Sequence, residues 1–289
     1  FHSLAGANTL IQETVLRLQR AGYAESPLVL CNEKHRFMAA GQLDEIGASA
    51  QCIVLEPVAR GTAPALAAAA QVVQATHGDV VMGVFPADHM IADETAFQHA
   101  LQKAVLLAED NHIVTFGIAP RSAHTGYGYL RVEPIAKENA VPVLEFVEKP
   151  DESAARSYLE QGGYFWNSGM FVFRASILLE AFALHAPQVL NHCAGAVKNA
   201  SEDGPFLRLD ETEFAKAPED SIDYAVMEKA ANTMMVPLDA GWDDIGSWDA
   251  LWSALEKDDD GNAVRGEVLA VETRDSLVMA DRALVATLG

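Results

Sequence analysis

The sequence predicts an α/β fold: a mostly parallel sheet with helices on both faces, followed by a short C-terminal β segment. Three observations predict it. Through the first two-thirds of the chain, short apolar runs alternate with longer amphipathic ones, the pattern of right-handed βαβ units. The short runs, such as Val80 to Phe85, are continuously apolar, which suits strands buried on both faces. Hydrophobic residues make up 50% of the 289 and charged ones 21%, the composition of an ordinary globular protein.

The elements follow in order. Asn8 or Thr9 caps a first helix that carries Leu10, Ile11, Val15, Leu16 and Leu18. Pro27 to Cys31 reads as a buried strand, Lys34 to Glu45 as a helix, and Gln51 to Leu55 as the next strand. Pro64 to Gln74 is alanine-rich, with proline in its first turn, and suits a helix. A strand over Asp79 to Phe85, a helix over Thr95 to Leu107 and a strand over His112 to Ile118 complete the alternation. The pattern then changes. Gly126 to Arg131, Leu144 to Lys149 and Tyr164 to Phe173 read as strands, with a helix near Ser153 to Gln161. Helices follow over Ser176 to Leu184 and Ile222 to Ala231, then a strand over Thr233 to Asp239 and a helix over Ser247 to Leu255. The polar run Lys257 to Asn262 marks a boundary, giving a main domain over 1–256 and a linker with short strands over 257–289. That last piece is too small to fold alone.

Charge and cysteine usage exclude several classes. There are 41 Asp+Glu against 20 Lys+Arg, a net charge of −21. Nucleic acid and anionic membrane surfaces would be repelled. No apolar run approaches the roughly 18 residues that span a bilayer. No signal peptide opens the chain, and Cys31, Cys52 and Cys193 lack paired spacing, so the reading is a cytoplasmic protein with three reduced thiols. Phosphate-loop, HExxH and GxSxG patterns are absent, and Gly126-x-Gly128 lacks the third glycine and following helix of a dinucleotide site.

In open α/β sheets ligands sit beyond the carboxyl ends of the strands, so the residues after each strand carry the interest. Asp88 and Asp244 each follow a strand. Two carboxylates converging there can hold Mg²⁺, which takes one or two protein oxygens and completes its shell with water and phosphates; a helix N-cap and a turn are the competing readings. Tyr127-Gly128-Tyr129 offers a backbone without a Cβ where a ligand can approach closely, or a strand bulge. Glu148-Lys149-Pro150 ends a strand, where lysine suits a phosphate and glutamate a hydroxyl, or forms an exposed ion pair. Asn167-Ser168-Gly169 interrupts an apolar run, so its polar groups must be hydrogen-bonded within a bulge or face a cavity. Arg60-Gly61-Thr62 places a cation and backbone N–H groups at a helix start, where an anion or a base edge fits, or where Thr62 simply caps.

Six motifs in order resemble one family. They are Glu56-Pro57-x-x-Arg60-x-Thr62-Ala63-Pro64-Ala65, Phe85-Pro86-Ala87-Asp88-His89, Gly126-Tyr127-Gly128-Tyr129, Phe146-Val147-Glu148-Lys149-Pro150, Trp166-Asn167-Ser168-Gly169-Met170-Phe171 and Trp242-x-Asp244-Ile245-Gly246-Ser247-Trp248. The set resembles mannose-1-phosphate guanylyltransferase of the bacterial type often fused to a phosphomannose isomerase domain, from Phe1 to the end of the chain. The resemblance implies a Rossmann-like nucleotidyltransferase domain. It implies that GTP and mannose 1-phosphate give GDP-mannose and pyrophosphate. It implies Mg²⁺ on Asp88 and Asp244, with Asp88, Asp244 and Lys149 as catalytic residues. It places Tyr127, Gly128, Glu148, Asn167, Ser168 and Gly169 around the sugar phosphate, and Glu56, Arg60, Thr62, Ala63 and Asp88 around the nucleotide. A homodimer through an exposed β connector and a role in polysaccharide synthesis are further implications.

Two departures from the family pattern stand out. Gly61 occupies a place where the family usually has asparagine. The family's glycine-rich GGxGTRLxPLS run and PKQ segment, with its first strand, would fall just before Phe1. That run carries the arginine and lysine expected to hold the triphosphate. At the other end, the 289 residues stop within what resembles the connector to an isomerase domain, so isomerase activity is not expected of them.

A sugar phosphate is already an anionic nucleophile at neutral pH, so in-line attack needs alignment and charge neutralisation more than a general base. Other bases or sugars, and a non-catalytic nucleotide-sugar binder, are the alternative readings. Because the substrates are polyanions and the chain is acidic, the site is expected to be a local electropositive exception, with Mg²⁺, Lys149, Arg60 and above all the glycine-rich run contributing, and to be weakened in these 289 residues.

Overall fold

The computed structural model describes residue 3 and residues 6–23, 26–133, 140–280 and 283–289; Phe1 lies outside them. Helix α1 (Leu10–Arg20) is entered through a capping box. The Thr9 hydroxyl accepts from the Gln12 N–H, and the Gln12 side chain accepts from the Thr9 N–H. Ile11, Val15 and Leu18, spaced at helical intervals, are buried. Then come β1 (Leu28–Asn32), α2 (Arg36–Glu45), β2 (Cys52–Glu56), α3 (Thr62–His77), β3 (Val81–Val84), α4 (Glu94–Glu109) and β4 (Ile113–Ile118). Asp93 caps α4 and Asp151 caps α5 (Glu152–Gln161), which lies between the β5 (Tyr129–Val132) and β6 (Val141–Val147) pair and the long β7 (Tyr164–Arg174).

Helices α6 (Ala175–His185) and α7 (Pro187–Lys198) follow, then β8 (Ser201–Asp203), β9 (Phe206–Arg208) and α8 (Glu211–Phe214). The predicted helix over Ile222 to Ala231 is instead a five-residue π-helical turn, Asp223–Met227. Its diagnostic bond runs from the Glu228 N–H to the Asp223 carbonyl, 3.0 Å. The last elements are β10 (Thr233–Pro237), α9 (Trp248–Ala254), β11 (Ala263–Arg265), β12 (Val268–Val271), β13 (Leu277–Met279) and β14 (Val285–Leu288).

The α/β class and the helices on both faces are as the sequence predicts, but the strand directions are more mixed than the expected mostly parallel sheet. The central sheet runs β3-β7-β4-β10-β6-β5, and only β4 and β10 are parallel neighbours in it. Strand β7 causes this. It inserts antiparallel between β3 and β4, and also pairs antiparallel with β5. A second sheet, β1-β2-β9-β8, holds the parallel pairs β1–β2 and β2–β9.

The long β7 shows how the layers form. Phe171 and Phe173 point into a core shared with α3, α6 and α7; Met170 and Val172 point into the opposite core, with α4 and Trp242. Period-two alternation of purely apolar residues thus buries both faces of one strand. Residues 263–289 pair β11 with β13 and β12 with β14, each parallel, so the chain coils back over itself. All three cysteines are free, and burial raises each thiol, Cys31 to about 11 and Cys193 to about 12, which disfavours the thiolate. Among the described residues, no helix is long and apolar enough to cross a membrane.

Candidate active site

One cleft of about 870 Å³ gathers residues from both sheets. It is lined by β1 and β3 along one length and by Glu56, Thr62, Tyr127, Gly128, Glu148, Lys149, Asn167, Ser168, Gly169, Asp223 and Asp244.

The first group is the carboxylate pair. A single antiparallel bridge joins Met90 to Asp243, with N–H···O bonds of 2.9 and 3.1 Å. It ties the loop after β3 to the loop after β10, which carry Asp88 and Asp244; Asp244 lines the cleft and Asp88 does not. His89, which lies between them, feels the charge of both. Oδ1 of Asp244 accepts from the Tyr127 hydroxyl at 2.9 Å and from the Gly246 N–H at 3.2 Å. Asp88 is exposed, and among the described residues no hydrogen bond or ion pair engages its carboxylate. Two hard oxygen donors with open lone pairs fit a small divalent cation such as Mg²⁺.

The second group surrounds Gly128. The ladder between β4 and β7 shifts register between Thr115 and Gly117, so Asn167-Ser168-Gly169 forms a bulge that also faces the cleft. Both sequence readings of this segment hold. Ser168 closes the bulge, its hydroxyl accepting from the Met170 N–H at 3.2 Å, and Gly169 supplies the left-handed φ of +70°. The Asn167 N–H donates to the Gly128 carbonyl at 2.8 Å. Glu148 approaches the same glycine and pairs with Lys149 at 3.3 Å. Burial raises the Glu148 pKa, while Lys149 opposes the shift.

The third group lies at the start of α3. Thr62 reaches the cleft, and its hydroxyl accepts from the Ile222 N–H at 2.9 Å. Arg60 and Ala63 do not line the cleft. The Arg60 guanidinium donates to the Ala215 carbonyl, and the fully buried Ala63 gives its N–H to the Asp220 carbonyl at 3.1 Å. Gly61 has a φ of +78°, and a Cβ there would run into that same carbonyl, which accounts for glycine at this position.

Glu56 ends β2 inside the cleft, and burial pushes it up to about 7. Between the ordinary 4.5 and about 7 the folded state holds a proton that the unfolded state has released, so stability falls as pH rises through that window. Glu56→Gln should lose this dependence. The unfolding free energy of the variant minus that of the parent should grow by on the order of 2 kcal/mol across the window. A pH-independent difference in urea titrations would show that the Glu56 charge is compensated in the folded protein.

Lysine and arginine contribute only Lys149 to the cleft lining among the described residues, against the carboxylates of Glu56, Glu148, Asp223 and Asp244. The electropositive exception is weak in these residues, as expected of them without the glycine-rich run. Polyanionic substrates would require added cations here, which strengthens the fit of the Asp88–Asp244 pair to a divalent ion.

Comparison with known proteins shows the family. The sequence profile of the family described as nucleotidyl transferase matches residues 1–261. The chain belongs to the nucleotidyl transferase family. Within that family it is 45% identical over its whole length to the xanthan biosynthesis protein XanB of Xanthomonas campestris pv. campestris (strain B100), covering 61% of that protein. It is 43% identical to the mannose-1-phosphate guanylyltransferase of Escherichia coli (strain K12), covering 62% of it. The chain thus spans about three-fifths of the length of the curated relatives it matches. A solved structure described as mannose-1-phosphate geranyltransferase from Thermus thermophilus superposes with a TM-score of 0.82 at 32% identity, covering 97% of this chain and 79% of that one.

The sequence reading of this nucleotidyl transferase gave no role to two residues at the site. His89 is buried, and its Nδ1 accepts from the Trp242 indole N–H at 3.2 Å. Burial lowers its pKa despite the nearby carboxylates, so it is neutral with its proton on Nε2. The signal for this pair, 153 positions apart, was simply a histidine in one motif and a tryptophan in another. Asp223 is the second. It sits in the misread helix, and burial together with Glu148 pushes it up to about 7.

Proposed function

We propose that the chain catalyses transfer of a guanylyl group from GTP to mannose 1-phosphate, giving GDP-mannose and pyrophosphate. The carrying observation is that one cleft holds Asp244 and the Gly128–Glu148–Asn167 cradle together, with Asp88 on the exposed loop between the cleft residues Ala87 and His89. The named relative from E. coli supports the choice of base and sugar. A sugar-phosphate oxygen attacks the α-phosphorus, and the bond to the bridging oxygen of the departing pyrophosphate breaks.

The residues act by position and charge. Glu148 and Asn167 hold sugar hydroxyls, and Gly128 lets the ring approach the backbone. The exposed ammonium of Lys149, on a residue with a φ of +47°, meets the sugar phosphate. Glu56 suits the adjacent N1–H and N2–H donors of guanine, which one carboxylate accepts together; Thr62 lies beside it. Mg²⁺ held by Asp88 and Asp244 would supply charge neutralisation between the two anions. A main domain over 1–256, the β segment 257–289 as a connector, cytoplasmic location and homodimerisation belong to the same reading.

Pyrophosphate release by the natural full-length protein, measured across four nucleoside triphosphates and several hexose 1-phosphates, tests the proposal. GTP with mannose 1-phosphate should give the highest kcat/KM. A preference for another base or sugar would overturn the assignment within the family. Binding of GDP-mannose without turnover would make the protein a binder.

A further inference from the structure

We propose that Asp223 is a positioning residue that fixes which way the Asn167 carboxamide faces the sugar, and through it sets selectivity between hexose epimers. The inference rests on the reading of Asn167 as a sugar ligand. Asn167 is 8% exposed, and its side chain has two protein partners. The Thr115 hydroxyl lies 2.8 Å from Oδ1, and Asp223 Oδ1 lies 3.2 Å from Nδ2.

These partners are not equivalent. A hydroxyl both donates and accepts, and the Thr115 hydroxyl also lies 3.1 Å from the Met170 carbonyl, to which it can donate instead. Thr115 is therefore compatible with either orientation of the amide. An ionised carboxylate only accepts, so above about 7, the value to which burial and Glu148 raise its pKa, Asp223 holds the NH₂ group toward itself and the carbonyl toward Thr115. One N–H and one lone pair then remain in defined places for ligand hydroxyls. If the amide flipped, donor and acceptor would exchange, and a sugar hydroxyl whose proton is already committed to another partner would lose its bond to the amide.

The π-helical turn makes the same segment serve both sugar ligands. An i to i+5 bond stacks Asp223 and Glu228 on one face, where an α-helical turn would stagger them. Glu228 Oε1 accepts from the Glu148 backbone N–H at 3.0 Å, while Asp223 holds Asn167. The insertion of one residue into this turn thus sets Glu148 and Asn167 relative to each other. Such turns occur often at functional sites.

The test is Asp223→Asn, which keeps the shape but lets either amide orientation pair. The ratio of kcat/KM for mannose 1-phosphate to that for glucose 1-phosphate should fall about tenfold or more, and KM for mannose 1-phosphate should rise about ten- to hundredfold. KM for GTP should stay within about twofold, because the nucleotide does not use this amide. Asp223→Glu should recover part of the selectivity, since it restores an acceptor that cannot donate. An unchanged epimer ratio in Asp223→Asn, in a parent that turns over mannose 1-phosphate normally, would overturn the proposal and leave the proposed function standing. A parent that uses no hexose 1-phosphate would instead sink the proposed function. Should Asp223→Asn fail to fold by circular dichroism, Asp223→Ser, whose hydroxyl pairs with either amide orientation, decides the question by the same ratio.

Discussion

Asp244→Asn in the full-length protein should lower turnover by about a hundred- to a thousandfold while leaving the fold intact. The structure explains why the two effects separate. The Asp244 oxygen that accepts from the Tyr127 hydroxyl and the Gly246 N–H has an equivalent in the asparagine carbonyl. The loop after β10 should therefore keep its shape, and the Met90–Asp243 bridge next to it is made entirely by backbone. What the variant loses is one negative charge and one hard oxygen of the Asp244 carboxylate. With a lining in which carboxylates already outnumber cations, the proposed function makes that loss costly, because it would remove a hard oxygen proposed to hold the divalent ion. Steady-state assays with Mg²⁺ saturating, alongside thermal melting, check both halves. Near-normal turnover would take Asp244 out of the metal site; a collapsed melting temperature would mean that its charge, rather than its shape, holds the loop.

The parts of this protein that were legible in the sequence are those decided locally. Thr9, Asp93 and Asp151 cap helices by reaching three residues along the chain, and each helix begins within a few residues of where the pattern places it. The apolar β7 was equally clear, and even its polar interruption at Asn167 and Ser168 was readable, because buried polar groups in such a run need partners. Elements decided by distant partners were not legible. Strands β8 and β9 have three residues each and exist only because β2 offers an edge to β9. The direction of β7 depends on where its neighbours lie, so the mixed sheet could not be seen in hydrophobic spacing. The turn at Asp223 was read as an ordinary helix because its buried residues, Ala225, Val226 and Met227, carry no sign of the extra residue per turn.

The candidate site divides along the same line. Asp88, Asp244, Glu148 and Asn167 lie in motifs and could be singled out, whereas Arg60 and Ala63 lie in a motif but turn to the Ala215 and Asp220 carbonyls. Their partners are more than 150 positions away, and no local pattern distinguishes a side chain that faces the cleft from one that braces it.

Gly128→Ala should abolish most sugar-phosphate use without unfolding the protein. A Cβ on Gly128 would lie 2.5 Å from Glu148 Oε2, 3.3 Å from the Phe146 ring and 3.4 Å from the Asn167 Cβ. The closest of these is the far end of a flexible side chain, so the fold can relieve the clash by moving Glu148. The other two contacts are tight but tolerable with small shifts, and the backbone bond from the Asn167 N–H to the Gly128 carbonyl does not involve the new atom. The melting temperature should therefore drop by only a few degrees, as for a modest overpacking. Function has no such freedom. In the proposed function, moving Glu148 would displace the carboxylate from the sugar, and the added methyl would fill the space that the ring is proposed to enter. A misplacement of about 1 Å at such a site costs about a hundredfold, so kcat/KM for mannose 1-phosphate should fall by at least that much while KM for GTP holds. Equal losses for both substrates would mean that Gly128 serves the shape of the whole cleft. Unchanged kinetics would mean that the sugar never approaches this strand, and the cradle formed by Gly128, Glu148 and Asn167 would have to be reassigned.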